Sequence, residues 1–202
     1  MQNPKKTKEI IRCGWSLKDE LYKKYHDEEW GIPLYDESKL FEMICLEGAQ
    51  AGLSWYTILK KRENYRKAFD NFDAKKIAKY NQGKVEKLMQ NEGIIRNRLK
   101  INAFIGNAKA FLGVQKEFGS FSDYIWRFVN GKPKVNNVKS LKDIPVKTVE
   151  SDAMSKDLIK RGFKFTGSTI CYAFMQAVGM VDDHMNECWR KEPGLKNQHF
   201  LD

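Results

Sequence analysis

Apolar residues recur at spacings of three and four along most of this 202-residue chain, and no segment alternates for long enough to predict a strand. The segment ESKLFEMICLEGAQAG, residues 37–52, places Leu40, Phe41 and Ile44 along one helical stripe. The next segment, SWYTILKKRENYRKAF, begins at Ser54, a residue suited to cap a helix, and carries a basic outer face. We therefore predict an all-α protein.

Helical patterns continue to the C-terminal part of the chain, with Asp73 as a predicted cap and Gly93 as a predicted helix end. The further helical segments are 72–80, 83–93, 97–119, 122–131, 151–162 and 168–180. Residues 131–148 are rich in Asn, Lys and Pro and are predicted to form a loop. We expect this loop to join elements of one domain rather than to separate two domains.

Lys and Arg outnumber Asp and Glu by 36 to 26, which gives a formal net charge of +10. Basic residues cluster within 60–67, 96–109 and 156–164. One such cluster is typical of a solvated face, but three in a small helical protein favour binding of a polyanion. No apolar run approaches the roughly 20 residues that span a bilayer, and the N-terminus lacks the apolar run of a secretory signal. We predict a cytoplasmic protein with no membrane association.

Two pairs of potential metal ligands stand near opposite ends of the chain. Cys13 and His26 form one pair, and His184 and Cys188, four residues apart, form the other. On a helix, residues four apart share a face, and two thiolates with two imidazoles suit a tetrahedral zinc ion. The alternative is that these residues are buried cysteines and ordinary histidines. In the cytoplasm all four cysteines stay reduced, and the other two, in apolar helical stripes, are predicted to be core thiols.

Five motifs resemble the bacterial DNA-3-methyladenine glycosylase I family, in order, from about residue 12 to residue 188. They are RCGW, YHDEEWG, LFEMICLEGAQAGLSWYTILKKRENYRKAF, GIIRNRLKI and RGFKFTGSTICYAFMQAVGMVDDH. The resemblance implies an all-α fold of the helix-hairpin-helix glycosylase superfamily, with two helical lobes. It also implies one structural Zn²⁺ per chain that joins the N- and C-terminal segments. The family's zinc ligands match Cys13, His26, His184 and Cys188.

The family's activity is excision of 3-methyladenine from alkylated double-stranded DNA. The resemblance implies an N-glycosidase that flips the base, hydrolyses the N-glycosidic bond and leaves an abasic site. We expect a monomer that is monofunctional, because no lysine is a clear candidate for the Schiff base of a strand-cleaving lyase. A 3-methyladenine base is a cation while attached to deoxyribose, so it leaves without protonation. Such an enzyme needs a hydrogen-bond acceptor for the base and an aromatic box that favours a cation, but no strong general acid.

The resemblance makes Glu47 the catalytic and base-recognising residue, because its carboxylate accepts a hydrogen bond from the exocyclic amine. Trp55 matches the stacking platform of the family. The candidates for the remaining walls are Trp15, Tyr22, Tyr25 and Trp30. Without the resemblance, Glu47 is typical of a solvent-facing helix acid and the aromatic residues are typical of plain core packing.

The resemblance places Gly52 and Leu53 at the DNA gap, with Leu53 as an apolar wedge. It also makes Gly93, Arg96 and Lys100 part of a phosphate-binding hairpin. The hairpin lacks the usual second glycine, and we expect Gly93 to supply a positive φ at its turn. Superfamily relatives use a catalytic aspartate after the hairpin. Asp123 is a weak candidate for this role, because a cationic base leaves readily and makes such a catalytic group less necessary.

Two other functions remain open from the residues themselves. A zinc-containing helical module could sense DNA lesions without chemistry, and a zinc hydrolase would need an open position on the metal. The sensor would have no use for Glu47 beside an aromatic box. The resemblance divides the chain into an extension at 1–11, one glycosylase domain at 12–190 and a tail at 191–202.

Overall fold

The computed structural model describes residues 10–191 of the protein, and most of this range is helical. The helices are α1 (Glu20–Glu28), α2 (Glu37–Gln50), α3 (Trp55–Ala68), α4 (Ala74–Ile77), α5 (Gln82–Met89), α6 (Arg98–Phe118), α7 (Phe121–Trp126), α8 (Val149–Lys160) and α9 (Ser168–Ala177). Short 3-10 turns occur at Gly14–Lys18, Asp70–Phe72, Arg127–Val129 and Leu141–Asp143. The prediction of a mostly helical protein is confirmed. None of the helices within residues 10–191 is long and apolar enough to cross a membrane.

Polar side chains cap the starts of most helices, as the sequence predicted at two positions. The side chain of Ser54 accepts a hydrogen bond from the amide of Thr57, and Asp73 accepts from the amides of Lys75 and Lys76. These bonds satisfy amides that have no partner inside the helix. The other capping side chains are Asp19, Asp36, Asn81, Asn97, Ser120 and Thr148.

Several boundaries differ from the prediction; helix α7, for example, ends at Trp126 rather than at residue 131. Helix α5 ends at Met89 rather than at Gly93, because the following turn is closed by the side chain of Asn91, which accepts from the Gly93 amide at 2.8 Å. The predicted loop at 131–148 contains a short strand, β1 (Lys134–Val135), which pairs in parallel with β2 (Val181–Asp182). This pairing attaches the loop to the C-terminal segment.

Helix α2 lies at the centre of the fold. Every residue from Leu40 to Ala49 is buried, and the helix packs against α3, α6, α7 and α9. A helix that is enclosed on all sides needs apolar residues all round, so a polar residue inside this run is unusual. Glu42 and Glu47 are the two acids within it.

Arg62 departs from the predicted basic outer face of α3. Its guanidinium is buried and donates to the carboxylates of Glu42, on α2, and Glu29, directly after α1. Arg66, on the same helix, also pairs with Glu42, at 2.9 Å. The predicted helix is confirmed, but ion pairs with acids on neighbouring elements bury Arg62 and leave Arg66 half-buried.

The N- and C-terminal parts of the described chain lie together. The amide of Trp189 donates to the carbonyl of Ile11 at 2.9 Å, and its indole donates to Asp27 at 3.2 Å. Lys191, assigned from sequence to the tail, is buried and donates to the carbonyl of Asn136. The rest of that tail and residues 1–9 of the predicted extension lie outside the described residues.

Candidate active site

A cavity of about 230 Å³ opens beside the end of α2 and the start of α3. Helix α1 contributes two tyrosines three residues apart, so that both face the cavity from one side. All six side chains predicted to bind a base line this single cavity: Trp15, Tyr22, Tyr25, Trp30, Glu47 and Trp55. The fold therefore brings together the six residues predicted to bind a base, which come from four separate chain segments.

The aromatic rings pack against one another and leave the acid at the wall. The ring centroids of Trp15 and Tyr22 are 4.8 Å apart, and those of Trp15 and Trp30 are 5.0 Å apart. The Tyr25 and Trp55 rings are tilted by 45° with centroids 5.3 Å apart. Each of these rings therefore packs against at least one neighbouring ring of the wall, which restricts its rotamers.

Glu47 is 2% exposed, and its Oε2 atom has no hydrogen-bond partner among residues 10–191. Burial disfavours the charged form and raises the pKa of Glu47 to about 8. The solvent-facing alternative for this acid is excluded by its burial. A buried carboxyl group without a partner is costly for the fold, so it is typical of a site that receives a ligand.

The turn between α2 and α3, residues 51–54, is here called the wedge turn. Gly52 has a φ of +75°, and Leu53 is 41% exposed although it follows a buried helix. The wedge turn lies between two residues of the cavity wall, Gln50 and Trp55. An apolar side chain thus projects beside the cavity mouth.

The turn between α5 and α6, residues 90–97, is here called the hairpin turn. Arg96 is exposed, and its guanidinium lies 3.4 Å from Glu92 Oε1. Gly93 is absent from the positive-φ residues of the described chain, so the expectation of a left-handed glycine was wrong. Space explains the glycine instead, because a Cβ atom there would lie 3.0 Å from the Cβ atom of Asn64 and from Asn91 Oδ1.

Lys100 is placed differently from the predicted phosphate contact. Its side chain lies inside the protein, and Nζ donates to the carbonyl oxygens of Ala49 at 2.8 Å and Ala51 at 2.6 Å. Burial lowers the pKa of this ammonium group. The ammonium group therefore binds the end of α2, because that helix end has carbonyl groups without helical partners.

The predicted zinc ligands converge behind the cavity. Ligand atoms of Cys13, His26 and Cys188 all lie within 4.8 Å of one another, with Cys188 Sγ 3.4 Å from His26 Nε2. The ring centroid of His184 is 5.1 Å from that of His26, and His184 Nε2 is buried with no partner among the described residues. Residues 184–188 are not helical and include a turn, so the shared helical face considered for His184 and Cys188 does not form. The turn brings its two ligands together because it folds back beside the N-terminal segment.

Carboxylates hold the other ring nitrogen of both histidines. His26 Nδ1 lies 2.8 Å from Asp27, and His184 Nδ1 lies 2.9 Å from Asp182. A carboxylate at Nδ1 leaves Nε2 as the lone-pair nitrogen of a metal-binding histidine. The contact with Cys13 lowers the pKa of Cys188, while the same contact and burial raise the pKa of Cys13. The donor set therefore fits zinc.

Comparison with known proteins agrees with this geometry. The sequence profile of the methyladenine glycosylase family matches residues 15–191. The chain belongs to this family. It is 57% identical over 177 residues to the DNA-3-methyladenine glycosylase 1 of Escherichia coli strain K12, covering 88% of this chain and 95% of that protein. The DNA-3-methyladenine glycosylase of Haemophilus influenzae is also 57% identical, over 88% and 96% of the two chains.

Solved structures of methyladenine glycosylase family members share the fold. A crystal structure of 3-methyladenine DNA glycosylase I superposes with a TM-score of 0.88 at 55% identity, covering 90% of this chain and all of the other. A structure from Staphylococcus aureus, described as the basis of 3-methyladenine recognition, gives 0.87 at 39% identity, over 90% and 96% of the chains. The predicted family resemblance is confirmed.

Within this methyladenine glycosylase fold, four wall residues were missed by sequence reasoning: Gln50, Ile144, Ala173 and Gln176. Gln50 follows Glu47 by three residues on one helix, a spacing that places both on one face and was available in the sequence. Ile144 comes from the 131–148 loop and has no local signal. Asp123 is exposed on α7 and does not line the cavity.

Three polar atoms of the cavity wall have no partner among the described residues. They are Glu47 Oε2, Gln50 Oε1 and Trp55 Nε1. Gln50 Oε1 is an acceptor, Trp55 Nε1 is a donor, and the carboxyl group of Glu47 accepts once it is ionised. Such a mixture suits the edge of a nucleobase, which presents both kinds of group. The aromatic box is therefore equipped for hydrogen bonding as well as for stacking.

Proposed function

We propose that this chain is a monofunctional DNA-3-methyladenine glycosylase. It flips 3-methyladenine out of alkylated double-stranded DNA, hydrolyses the N-glycosidic bond and leaves an abasic site, with the free base as the other product. The observation that carries the proposal is Glu47, a buried carboxyl group with an unpartnered oxygen, at the wall of an aromatic cavity.

The cavity suits a cationic purine. Tyr25 and Trp55 line the cavity, and the π-face of an aromatic ring attracts a positively charged base more strongly than a neutral one. The cation also favours ionisation of Glu47, whose pKa of about 8 in the free protein then falls. The carboxylate accepts a hydrogen bond from the exocyclic amine, and the base leaves as a neutral species without a proton donor.

The DNA contacts are proposed from placement and exposure. Leu53 on the wedge turn fills the space left by the extruded nucleotide, and Gly52 lets the backbone approach the duplex. Gly93 and Arg96 on the hairpin turn contact a phosphate. Helices α5 and α6 with this turn form the helix-hairpin-helix element of a two-lobed glycosylase fold.

The proposed cofactor is one Zn²⁺ per chain, held by Cys13, His26, His184 and Cys188. Support comes from the converging thiols and imidazoles and from the buried, unpartnered Nε2 of His184. When bound, the ion supplies a covalent-like crosslink between the two ends of the domain. Four protein ligands leave no open position, so this role is structural and not that of a zinc hydrolase.

The proposed working unit is a monomer acting on DNA in the cytoplasm, with its glycosylase domain at residues 12–190. Support for a single domain comes from α2, which packs against helices from both halves of the chain. Support for one compact unit also comes from the contact between Trp189 and Ile11, which lie near its two ends.

Chromatography of bases released from methylated duplex DNA tests the proposed function. We expect free 3-methyladenine in the supernatant and an intact phosphodiester backbone, with strand breaks only after alkaline treatment of the abasic sites. Binding to damaged DNA without any base release would favour the lesion sensor and reject the glycosylase. The matched control is Glu47→Gln, which keeps the size of the side chain and removes its charge.

A further inference from the structure

Lys100 was predicted from the sequence to contact a phosphate, but its charged group lies inside the protein. Its side chain is 8% exposed, and Nζ donates to the carbonyls of Ala49 and Ala51. Within the part of the chain that the structure describes, no carboxylate forms an ion pair with it. The ammonium charge is therefore compensated by backbone dipoles alone, at the negative end of a 14-residue helix.

The two carbonyl groups mark the point where α2 gives way to the wedge turn. Ala51 is the residue after the helix, with a ψ of 119° that turns the chain away from the helix axis. The amide of Leu53 then donates to the carbonyl of Gln50 at 2.6 Å, which closes the wedge turn. Lys100 thus holds the residues on which the projection of Leu53 depends.

Lys100 itself belongs to the first turn of α6, directly after the hairpin turn. Its own amide donates to the capping side chain of Asn97 at 3.1 Å. The hairpin turn is also anchored on α3, because the Ile95 amide donates to the hydroxyl of Tyr65 at 3.1 Å. One side chain therefore connects the element proposed to hold a phosphate with the element proposed to enter the duplex.

An apolar residue could fill this space without binding the carbonyl groups. Two carbonyl groups at a helix end would then be buried without partners, which destabilises the local turn rather than the whole fold. The arrangement uses a flexible side chain with three donors, so that one group satisfies two acceptors from another segment.

We propose that Lys100 is a positioning residue that couples the hairpin turn to the wedge turn. Binding of a phosphate at the hairpin turn and insertion of Leu53 then occur in one fixed geometry. This inference rests on the proposed function. It assigns Lys100 no contact with DNA or with the base.

Lys100→Met is the direct test, because methionine keeps the unbranched stem and removes the donors. We expect excision of 3-methyladenine from duplex DNA to fall at least about tenfold, since small displacements of positioning elements have effects of this size. Binding of the free base to the cavity, followed by tryptophan fluorescence, is expected to change by less than about twofold. Lys116→Met, an exposed lysine at the far end of α6, controls for loss of charge and is expected to behave like the parent protein.

Hydrogen exchange gives a readout that does not depend on activity. In Lys100→Met we expect faster exchange of the amides at 51–54 and unchanged exchange of those at 104–116. If this variant does not fold, Lys100→Gln keeps an NH2 group with two donors, and the same comparisons apply to it with smaller effects. Faster exchange throughout α6, or parallel losses of free-base binding and excision, would show a general packing role and overturn the coupling.

Full excision activity in Lys100→Met would also overturn the proposal. A parent protein that releases no 3-methyladenine from the same DNA would instead reject the proposed function. In that case the exchange comparison still decides whether Lys100 holds the wedge turn. The two failures are therefore distinguishable.

Discussion

The backbone of Gly31 lies against the imidazole ring of His184. A Cβ atom added at Gly31 would lie 2.5 Å from Cε1 of that ring and 3.0 Å from Nδ1. Gly31 also has a φ of +76°, which favours glycine. It follows Trp30 of the cavity wall, so this contact joins the aromatic box to the Cys/His cluster.

Gly31→Ala is expected to displace the ring of His184. We expect loss of bound zinc and a decrease in the free energy of unfolding of more than about 2 kcal/mol, because strain and steric overlap act together. Metal analysis of the purified protein and urea unfolding measure the two effects.

Gly162→Ala is the matched control for Gly31→Ala. Gly162 has a φ of +97°, but nothing lies within 4 Å of an added Cβ atom. We expect a loss of about 1 kcal/mol from strain alone, with full zinc content. Equal zinc content in the two variants would contradict the proposed role of His184.

The acidity of Glu47 predicts how excision depends on pH. The proposed acceptor is the carboxylate, but the free protein holds a proton there until the pH approaches about 8. We therefore expect kcat/KM for base excision to rise with pH and to level off above about 8, because kcat/KM reports ionisation of the free enzyme. Glu47→Gln is expected to lose most activity and to show no such rise, which single-turnover assays across pH would reveal.

The pH dependence of the free energy of unfolding gives an independent test of the raised pKa of Glu47. The folded-state pKa of about 8 lies above the ordinary value of 4.5, so the folded protein binds more protons than the unfolded chain between these values. Stability is therefore expected to fall as pH rises through this window, by up to about 1.4 kcal/mol per pH unit from Glu47. Glu47→Gln should remove this slope. An unchanged slope in the variant would show that Glu47 is not buried in its protonated form.

Loss of the metal is expected to affect the fold before the chemistry. Cys188→Ala removes one proposed ligand, and we expect less bound zinc and a lower melting temperature, with a loss of stability of up to about 5 kcal/mol if the ion joins distant segments. Treatment of the parent protein with a chelator is also expected to remove zinc and lower the melting temperature. Calorimetry measures the melting temperature, and metal analysis measures the zinc content.

Cys171→Ala is the control for Cys188→Ala, because Cys171 is equally buried but lies in the core of α9, away from the cluster. We expect full zinc content and a loss of about 1 kcal/mol from the small cavity. If both variants lose stability equally and retain zinc, the metal site is rejected.

Arg62 connects three elements that supply walls of the cavity. It pairs with Glu29 after α1 and Glu42 on α2 from its own position on α3. We expect Arg62→Met to decrease the free energy of unfolding by about 3 kcal/mol, because it leaves the buried Glu42 with only one partner, Arg66. Urea unfolding measures the change. Adding Glu42→Met to Arg62→Met should restore much of the stability, because no unpaired buried carboxylate then remains at position 42. A further loss of stability in the double variant would show that the unpaired Glu42 does not explain the effect of Arg62→Met.

The helices and their caps could be predicted from short segments. Ser54 and Asp73 lie at helix starts because their side chains reach amides two or three residues ahead, an interaction contained within the local sequence. The candidate aromatic residues and Glu47 were predicted from the resemblance to a known family, because local patterns alone favoured core packing and a solvent-facing acid. Local reasoning failed at Gly93, where the neighbouring Asn64 comes from another helix.

The sequence by itself therefore determined the helical class and the predicted helix caps, because these depend on neighbours a few residues away. Its resemblance to a known family indicated which side chains carry the proposed chemistry. Only the tertiary structure decided that Arg62 and Lys100 turn inward and that Ile144 closes the cavity. The partners of Arg62 and Lys100 are acids and backbone carbonyls from distant segments. Such partners have no fixed spacing along the chain, so only packing in three dimensions brings them together.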